Sequence, residues 1–492
     1  MKPFLCLFAL ALSVVSLAAR PPGGPTERLP NFVVIFIDDM GYGDIGPFGS
    51  KINRTPHLDR MAREGMRLTS FYVTSGVCTP SRSSLMTGCY PLRVGLPRGS
   101  GHAVLFPGDH FGLNPAEITV AEVLKDAGYA TGCFGKWHLG DQPQFLPTRQ
   151  GFDTYFGIPY SNDMWPGLKR WQFPDLPLMQ DEKVVGLVKD MKAQGLLCKQ
   201  FTDAAVKFIR ECKDRPFFVY LPHAFVHHPR GASEEFLRRV GVDHPLDEDA
   251  GPNKRDYLMR ERTKAQIEEI DGSVGQILET LRELQLDRQT YVLFTSDNGG
   301  AFGCVNAPLK GGKGSQFEGG MREPTIVWRP GTVPAGTTND EVMTTLDVLP
   351  TFAKLAGTAA PKDRIIDGHD IADLLHGKPD ARSPYEAFYY YGGATLRAVR
   401  SGPWKLFANG QLFNLDDDIG EKRNVAGGHP QVVKRLETLL EKAREDLGDG
   451  KRIGPNCRPV GLAENARTLV PRPGVKGEAG YIPTLKIKSA RK

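Results

Sequence analysis

Phe32-Val-Val-Ile-Phe-Ile37 runs directly into Asp38-Asp39, and this stretch decides the fold. Its apolar residues are β-branched or aromatic and show no polar alternation, so the strand they form is buried on both faces. A strand covered on both sides belongs to a parallel sheet with helices above and below. Three further runs share this character and end in polar residues. Tyr291-Val-Leu-Phe-Thr295 leads into Ser296-Asp297-Asn298-Gly299, and Pro216-Phe-Phe-Val-Tyr-Leu221 ends near His223, His227 and His228. Tyr129-Ala-Thr-Gly-Cys-Phe134 ends at Gly135-Lys136-Trp137-His138. Helical stretches separate them: Thr119-Val-Ala-Glu122 is a capping box opening a helix to about Asp126, and 199–212 and 256–286 carry helical patterns. The alternation predicts an α/β fold with a parallel sheet flanked by helices on each side. Ligands of such sheets bind beyond the carboxyl ends of the strands, where all four polar clusters lie.

The pattern changes near residue 375. Glu386–Tyr391, Leu396–Arg400, Trp404–Phe407 and Gln411–Leu415 read as short strands between Gly, Pro and Asn turns, followed by a helix from about Pro430 to Leu447. We therefore expect a catalytic domain over 30–375 and a smaller antiparallel sheet plus helix over 376–450. A basic, Pro/Gly-rich tail without periodicity is expected over 451–492. That tail holds ten Lys/Arg against two Glu, while the whole chain carries only +5, so the body is close to neutral. The tail reads as a solvated basic segment, with an anionic polymer or membrane surface as the sharper alternative. No nucleic-acid module is present, so a nucleic-acid partner is not expected. At 40% hydrophobic and 24% charged residues, the 492-residue chain is an ordinary globular protein with a large core, not a disordered or fibrous one.

Residues 1–19 read as a secretory signal: Lys2, an apolar run from Phe4 to Val15, and a small-x-small site at Ser16-Leu17-Ala18. The run is shorter than the roughly 20 residues of a membrane-spanning helix. Export is expected (periplasmic, extracellular or lysosomal), with no transmembrane segment after signal removal. Cys78, Cys89, Cys133, Cys198, Cys212, Cys304 and Cys457 then remain, an odd set that leaves at least one thiol unpaired or chemically altered. No C-x-x-C pair exists to build a zinc ribbon.

Asp38, Asp39, Asp297 and Asn298 offer four oxygen-bearing side chains from two strand ends. Hard oxygen donors select Ca²⁺ or Mg²⁺ over zinc. Cys78 precedes Thr79-Pro80-Ser81-Arg82, and Pro80 suits the first turn of a helix, so Cys78 is expected just ahead of a helix N-terminus that favours anions. Arg82, one turn inward, adds a fixed positive charge.

Cys78-Thr-Pro-Ser-Arg82 followed by Leu85-Met-Thr-Gly88 resembles the type I sulfatase signature C-x-P-S-R-x-x-L-[LM]-T-G, whose cysteine is oxidised after translation to formylglycine. The resemblance extends from about Pro30 to Asn424. It includes Asp38-Asp39-Met-Gly-Tyr-Gly-Asp44, Gly135-Lys-Trp-His-Leu-Gly140, Thr295-Ser-Asp-Asn-Gly299 and Gly312-Lys-Gly-Ser-Gln-Phe-Glu-Gly-Gly-Met-Arg-Glu-Pro324. Each motif is weak alone; all in this order resemble the formylglycine-dependent sulfatases specifically, and the members nearest in appearance are of the arylsulfatase A and N-acetylgalactosamine-6-sulfatase type. The resemblance implies an alkaline-phosphatase-like fold, a mixed, mostly parallel sheet flanked by helices. It further implies that Asp38, Asp39, Asp297 and Asn298 bind one Ca²⁺ (or Mg²⁺), shared by modified Cys78. Arg82 is implied to hold the formylglycine hydroxyls, Lys136 and Lys313 to grip sulfate oxygens, and His138 to hydrogen-bond the diol. His227, in Val226-His-His-Pro229, matches the histidine at the scissile oxygen, with His228 as its neighbouring alternative. Ser161, in Gly157-Ile-Pro-Tyr-Ser161, matches a serine near the sulfate.

The chemistry fits these residue types. A hydrated aldehyde offers one hydroxyl to attack sulfur and a second whose deprotonation, by His138, expels sulfate and regenerates the aldehyde. Negative charge grows on the departing oxygen, so an acid there, His227, is useful. The implied partners are a sulfate-ester substrate and a formylglycine-generating or equivalent maturation enzyme. A sulfated sugar or polysaccharide end is the leading substrate expectation, with aryl sulfates as surrogates and residues 97–118 and 160–195 shaping the mouth. Two rivals share part of the pattern. A phosphatase or phosphodiesterase of the related fold would normally use Ser or Thr and more His/Asp ligands for two zinc ions, and Cys78 in its motif argues against it. A non-catalytic binder of sulfated glycans requires Cys78 to stay unmodified, although every catalytic position is kept. Lys310, outside the matched positions, reads as a surface residue.

Overall fold

The computed structural model describes residues 28–168, 171–242 and 252–472. The expected signal peptide and the last twenty residues of the basic tail lie outside them. Asn31–Ile37 pairs in parallel with Phe217–Pro222 on one side and Thr290–Ser296 on the other. Phe217–Pro222 pairs in parallel with Ala130–Lys136, which pairs with Thr154–Ile158. The four apolar runs are therefore four contiguous strands in the centre of an eleven-stranded sheet. Antiparallel pairs enter toward its flanks: Arg322–Trp328 runs against Thr290–Ser296 and Met66–Tyr72, with Thr337–Asn339 and Met343–Thr344 parallel to Met66–Tyr72, and Leu176–Gln180 with Lys183–Val188 closes the other side as a hairpin.

Side-chain alternation along Asn31–Ile37 feeds two separate cores. Phe32, Val34 and Phe36 pack with Leu85 and Met86 of helix Cys78–Thr87 and with Leu349 and Phe352 of helix Val348–Leu355. Val33, Ile35 and Ile37 pack with Phe201 and Phe208 of helix Leu197–Glu211 and with Ile270, Val274 and Ile277 of helix Pro252–Glu283. Two apolar faces need two layers of helices, which is why this sequence cannot settle as a one-sided sheet. The Thr119 capping box is present, opening helix Val120–Asp126. Among the described residues, no helix is long and apolar enough to cross a membrane, and all seven cysteines are free thiols.

The smaller sheet is four antiparallel strands, Phe388–Gly392, Thr395–Ser401, Trp404–Phe407 and Leu412–Asn414, covered by helix Pro430–Asp446. The described part of the tail departs from expectation. Gly461 and Leu462 pair with Gly112 and Phe111, Leu469 is fully buried, and Arg458 forks onto the buried Glu117 at 2.7 and 2.8 Å. Such a segment shows no periodicity because single anchors hold it, not one regular apolar face.

A buried charge cluster fastens the small sheet to the large one. Lys405, on strand Trp404–Phe407, lies 2.9 Å from both Glu318 and Glu421, and these side chains have no solvent exposure. Tyr390 and Tyr72 donate hydroxyl hydrogen bonds to Glu318 at 2.7 and 2.5 Å, and the Glu318 backbone N–H donates to Glu421 at 2.7 Å. Burial pulls the Glu318 carboxyl up, but Lys405, Arg322 and Arg400 together hold it below the usual carboxylate range. Replacing Lys405 by Met leaves two buried carboxylates without their shared counter-charge. We expect Lys405→Met to lose about 3–5 kcal/mol of stability in urea unfolding; a loss below about 1 kcal/mol would show that the cluster does not hold the sheets together.

Candidate active site

The parallel register sets Ile37 beside Ser296, so Asp38-Asp39 and Asp297-Asn298 leave the sheet side by side. All four are inaccessible to solvent. The Asp38 backbone N–H donates to Phe225 O at 2.9 Å, and that of Asp297 donates to Ile37 O at 2.8 Å. Asp39 has φ 63°, a left-handed conformation costing an aspartate about 1–2 kcal/mol. Its N–H donates to Asp297 Oδ1 at 3.2 Å and its Oδ1 accepts from Asn298 Nδ2 at 2.8 Å, bonds that hold the turn.

Cys78 is the first residue of helix Cys78–Thr87, one position further in than the sequence predicts, because Val77 serves as the extended N-cap. Pro80 lies in the first turn, and Gly88 ends the helix at φ 68° with its N–H on Ser84 O at 2.9 Å. Every residue of this helix is buried. Cys78 Sγ approaches Asp38 Oδ1 at 3.3 Å. Burial, reinforced by Asp297 and Asp38, pushes its thiol well above the usual value. With no cation bound, burial and the two carboxylates therefore disfavour the thiolate of an unmodified Cys78, the form a nucleophile needs. One turn on, Arg82 donates to Asp297 Oδ2 at 2.6 Å and to Lys136 O at 3.0 Å.

Ala130–Lys136 and Thr154–Ile158 bring Lys136 and Ser161 to the same edge. The close approach depends on glycine: a Cβ on Gly157 would lie 1.9 Å from Gly135 O, and one on Gly135 2.0 Å from Pro222 O. Lys136 Nζ pairs with Asp38 and donates to Ser161 Oγ at 3.1 Å. Burial would lower the Lys136 ammonium, but Asp38 raises it above its ordinary value. Lys313 donates to Asp39 Oδ2 at 2.9 Å and is a quarter exposed. Both lysines are thus ion-paired with the strand-end carboxylates.

His138, at φ 60°, donates its backbone N–H to Pro159 O at 3.1 Å. Its Nε2 lies 3.0 Å from Leu105 O, so that nitrogen carries the proton, and the buried Nδ1 has no protein partner. Burial, then Lys136 and Arg82, hold the ring well below the usual histidine value, hence neutral. His227 Nδ1 donates to His228 O at 2.7 Å, leaving Nε2 turned to Asp39 Oδ2 at 3.6 Å. Burial and then Lys313 push His227 down to about 4.

The donor set fits a hard divalent cation. Ligand atoms of Asp38, Asp39, Cys78 and Asp297 lie within 4.8 Å of one another. Asn298 Oδ1 is buried with no hydrogen-bond partner. Burial and then Asp38 push the Asp297 carboxyl up to about 7, so this group lacks sufficient positive charge around it. Every donor except the sulfur is a carboxylate or amide oxygen, the ligand class of Ca²⁺ and Mg²⁺.

All eleven residues singled out from the sequence meet in this one place. Two neighbours were missed. Asp163 pairs with His228 at 3.3 Å beside the stacked rings of His227 and His228. Its position two residues after Ser161 was the available signal. Glu323 is fully buried with both carboxyl oxygens unpartnered, and burial followed by Asp297 and Asp39 pushes it well above the carboxylate range. It lies within a quoted motif, but nothing in the sequence distinguishes it from a surface carboxylate. Lys310 is exposed, as expected, with Nζ on Glu421 O at 3.1 Å.

The Sulfatase family pattern matches residues 30–358, and the C-terminal pattern of N-sulphoglucosamine sulphohydrolase matches residues 312–446. The chain is 38% identical to dog (Canis lupus familiaris) N-acetylgalactosamine-6-sulfatase over 464 residues, 89% of this chain and 84% of the relative. It is 36% identical to human (Homo sapiens) arylsulfatase A over 486 residues, covering 87% and 91%. It is 34% identical to mouse (Mus musculus) steryl-sulfatase over 542 residues, covering 92% and 83%. Among solved structures, Ps i-CgsB in complex with k-i-k-neocarrahexaose superposes with a TM-score of 0.73 at 29% identity, covering 84% of this chain and 92% of that one. A phosphonate monoester hydrolase of Agrobacterium radiobacter shares the fold alone, at 18% identity and a TM-score of 0.61, covering 84% and 95%. With strand-end carboxylates, a cysteine-led helix and these relatives all in agreement, the chain belongs to the sulfatase family and hydrolyses sulfate esters.

Proposed function

We propose that this sulfatase removes sulfate from a sulfated sugar or polysaccharide end, using formylglycine made from Cys78 and one Ca²⁺ (or Mg²⁺) at Asp38, Asp39, Asp297 and Asn298. The observation that carries the reading is the convergence of a buried, inert Cys78 thiol with three carboxylates and three cationic side chains. A thiol held in that state serves little purpose unless position 78 is converted to something else. A formylglycine-generating or equivalent enzyme would make that conversion, and the signal-like N-terminus supports export.

When in place, the hydrated aldehyde supplies the nucleophilic hydroxyl and the cation polarises it and the sulfate oxygens. Arg82, Lys136 and Lys313 offset the negative charge on those oxygens, and Ser161 adds a hydroxyl fixed by Lys136. His138, neutral with Nδ1 free, is suited to accept a proton from position 78. His227 is suited to the leaving oxygen. Proton uptake at Nε2, favoured by Asp39 and Asp163, would turn it into an acid.

Chelation should lower activity and thermal midpoint together, since a ligand bound only to the folded state at 100 times its Kd contributes about 2.7 kcal/mol. Ca²⁺ or Mg²⁺ should restore both; stoichiometric zinc in the active protein, with calcium and magnesium absent, would contradict the assignment.

The histidine roles separate by leaving group. His227→Ala should slow a sugar sulfate about 10²–10⁴-fold more than an activated nitrophenyl sulfate in single turnovers. His138→Ala should instead accumulate sulfated enzyme after a burst on either substrate. Equal losses on both substrates in His227→Ala would remove it as the acid and point to His228.

A further inference from the structure

A second cleft, of about 490 Å³, opens beside the site at Ser75-Gly76-Val77, the segment that leads into Cys78. Gly314, next to Lys313, lines it as well, and its N–H donates to Gly76 O at 2.8 Å. Two distant segments meet there: Pro97–Ala103, from the loop expected to form the mouth, and Tyr391–Arg397 of the small sheet. Its titratable lining is Arg98, His102 and Arg397 with the deeply buried Tyr391, and no carboxylate is among it.

Arg98 and Arg397 are exposed, and neither guanidinium has a hydrogen bond or ion pair with any described residue. By contrast Arg93, Arg149, Arg210 and Arg458 are each held by a carboxylate at 2.5 to 2.7 Å. A single unpaired arginine on a surface is ordinary. Two of them, from segments about 300 residues apart, lining one acid-free cleft that reaches Val77, carry the charge and donors that an oxyanion needs. His102, stacked on Phe106 with ring centroids 3.9 Å apart and edge-on to Trp171, gives the same mouth a flat aromatic wall.

We propose that Arg98 and Arg397 bind a second anionic group, a carboxylate or another sulfate, on the sugar next to the one that carries the scissile sulfate. This rests on the sugar-sulfate reading above and narrows it to glycans charged on neighbouring residues. The guanidinium fork matches both oxyanions, so the chemistry is shared and the test has to tell them apart.

The test measures kcat/KM for the full-length, mature enzyme on four substrates: nitrophenyl sulfate, a monosulfated disaccharide whose adjacent sugar is uncharged (the neutral-neighbour disaccharide), and that disaccharide carrying either a uronate or a second sulfate on the adjacent sugar. The wild type should favour at least one dianionic disaccharide over the neutral one by tenfold or more, with a preference that fades as salt rises. Arg98→Ala and Arg397→Ala should each lower kcat/KM on the favoured substrate about 10- to 100-fold, mainly through KM, while staying within about twofold on nitrophenyl sulfate and the neutral sugar. Their thermal midpoints should match the wild type, and Arg→Lys should recover part of the loss. Turnover of nitrophenyl sulfate with no preference for extra charge would overturn the subsite alone. So would equal losses on all substrates. Turnover of nitrophenyl sulfate but no sugar sulfate would overturn both the subsite and the substrate reading on which it rests.

Discussion

Three carboxylates share one dry pocket at the ends of two adjacent strands, and the rest of the molecule is arranged around keeping them there. Carboxylates this close and this buried repel one another and lose their hydration, so they persist only with opposite charges at hand. Arg82, Lys136 and Lys313 supply those charges at Asp297, Asp38 and Asp39. Each cation comes from a different element: a helix, a parallel strand two places away in the sheet and a loop that returns to the sheet edge. The charge balance thus draws three separate parts of the chain onto one point. Left-handed backbone at Asp39 and His138 is tolerated for the same reason, because surrounding hydrogen bonds over-determine both residues.

The small sheet belongs to this arrangement and is no appendage. The segment bearing Lys313 continues into Glu318, whose carboxylate is gripped by Lys405 and whose backbone is gripped by Glu421. The segment that carries Lys313 is therefore anchored by strands far away in sequence. The same sheet supplies Arg397 to the mouth. One element thus steadies a lysine of the catalytic pocket and lines the surface that meets the rest of the substrate.

Much of this was legible in the sequence, for a physical reason. Strands buried on both faces leave uninterrupted apolar runs, and the acidic pairs that follow them mark the carboxyl edge. Met66–Tyr72 and the 176–188 hairpin escaped notice because half-buried strands alternate and lose contrast among turn residues. Pairings were invisible for another reason. Lys136 and Asp38 lie 98 residues apart, and Arg458 and Glu117 lie 341 apart. Local pattern carries no information on which charge will meet which. The tail showed the limit most clearly, since a segment pinned by Arg458, Gly461 and Leu469 has no period to read.

The account stands or falls on the chemical state of residue 78. Its side chain is buried beside Asp38 and Asp297, which together with burial disfavour a thiolate nucleophile there. The most direct measurement is mass spectrometry of the peptide spanning Cys78 from active enzyme, with and without a hydrazide that captures aldehydes. The account predicts a sulfur-free residue that forms the hydrazone. A fully active preparation whose Cys78 peptide retains its thiol would contradict it.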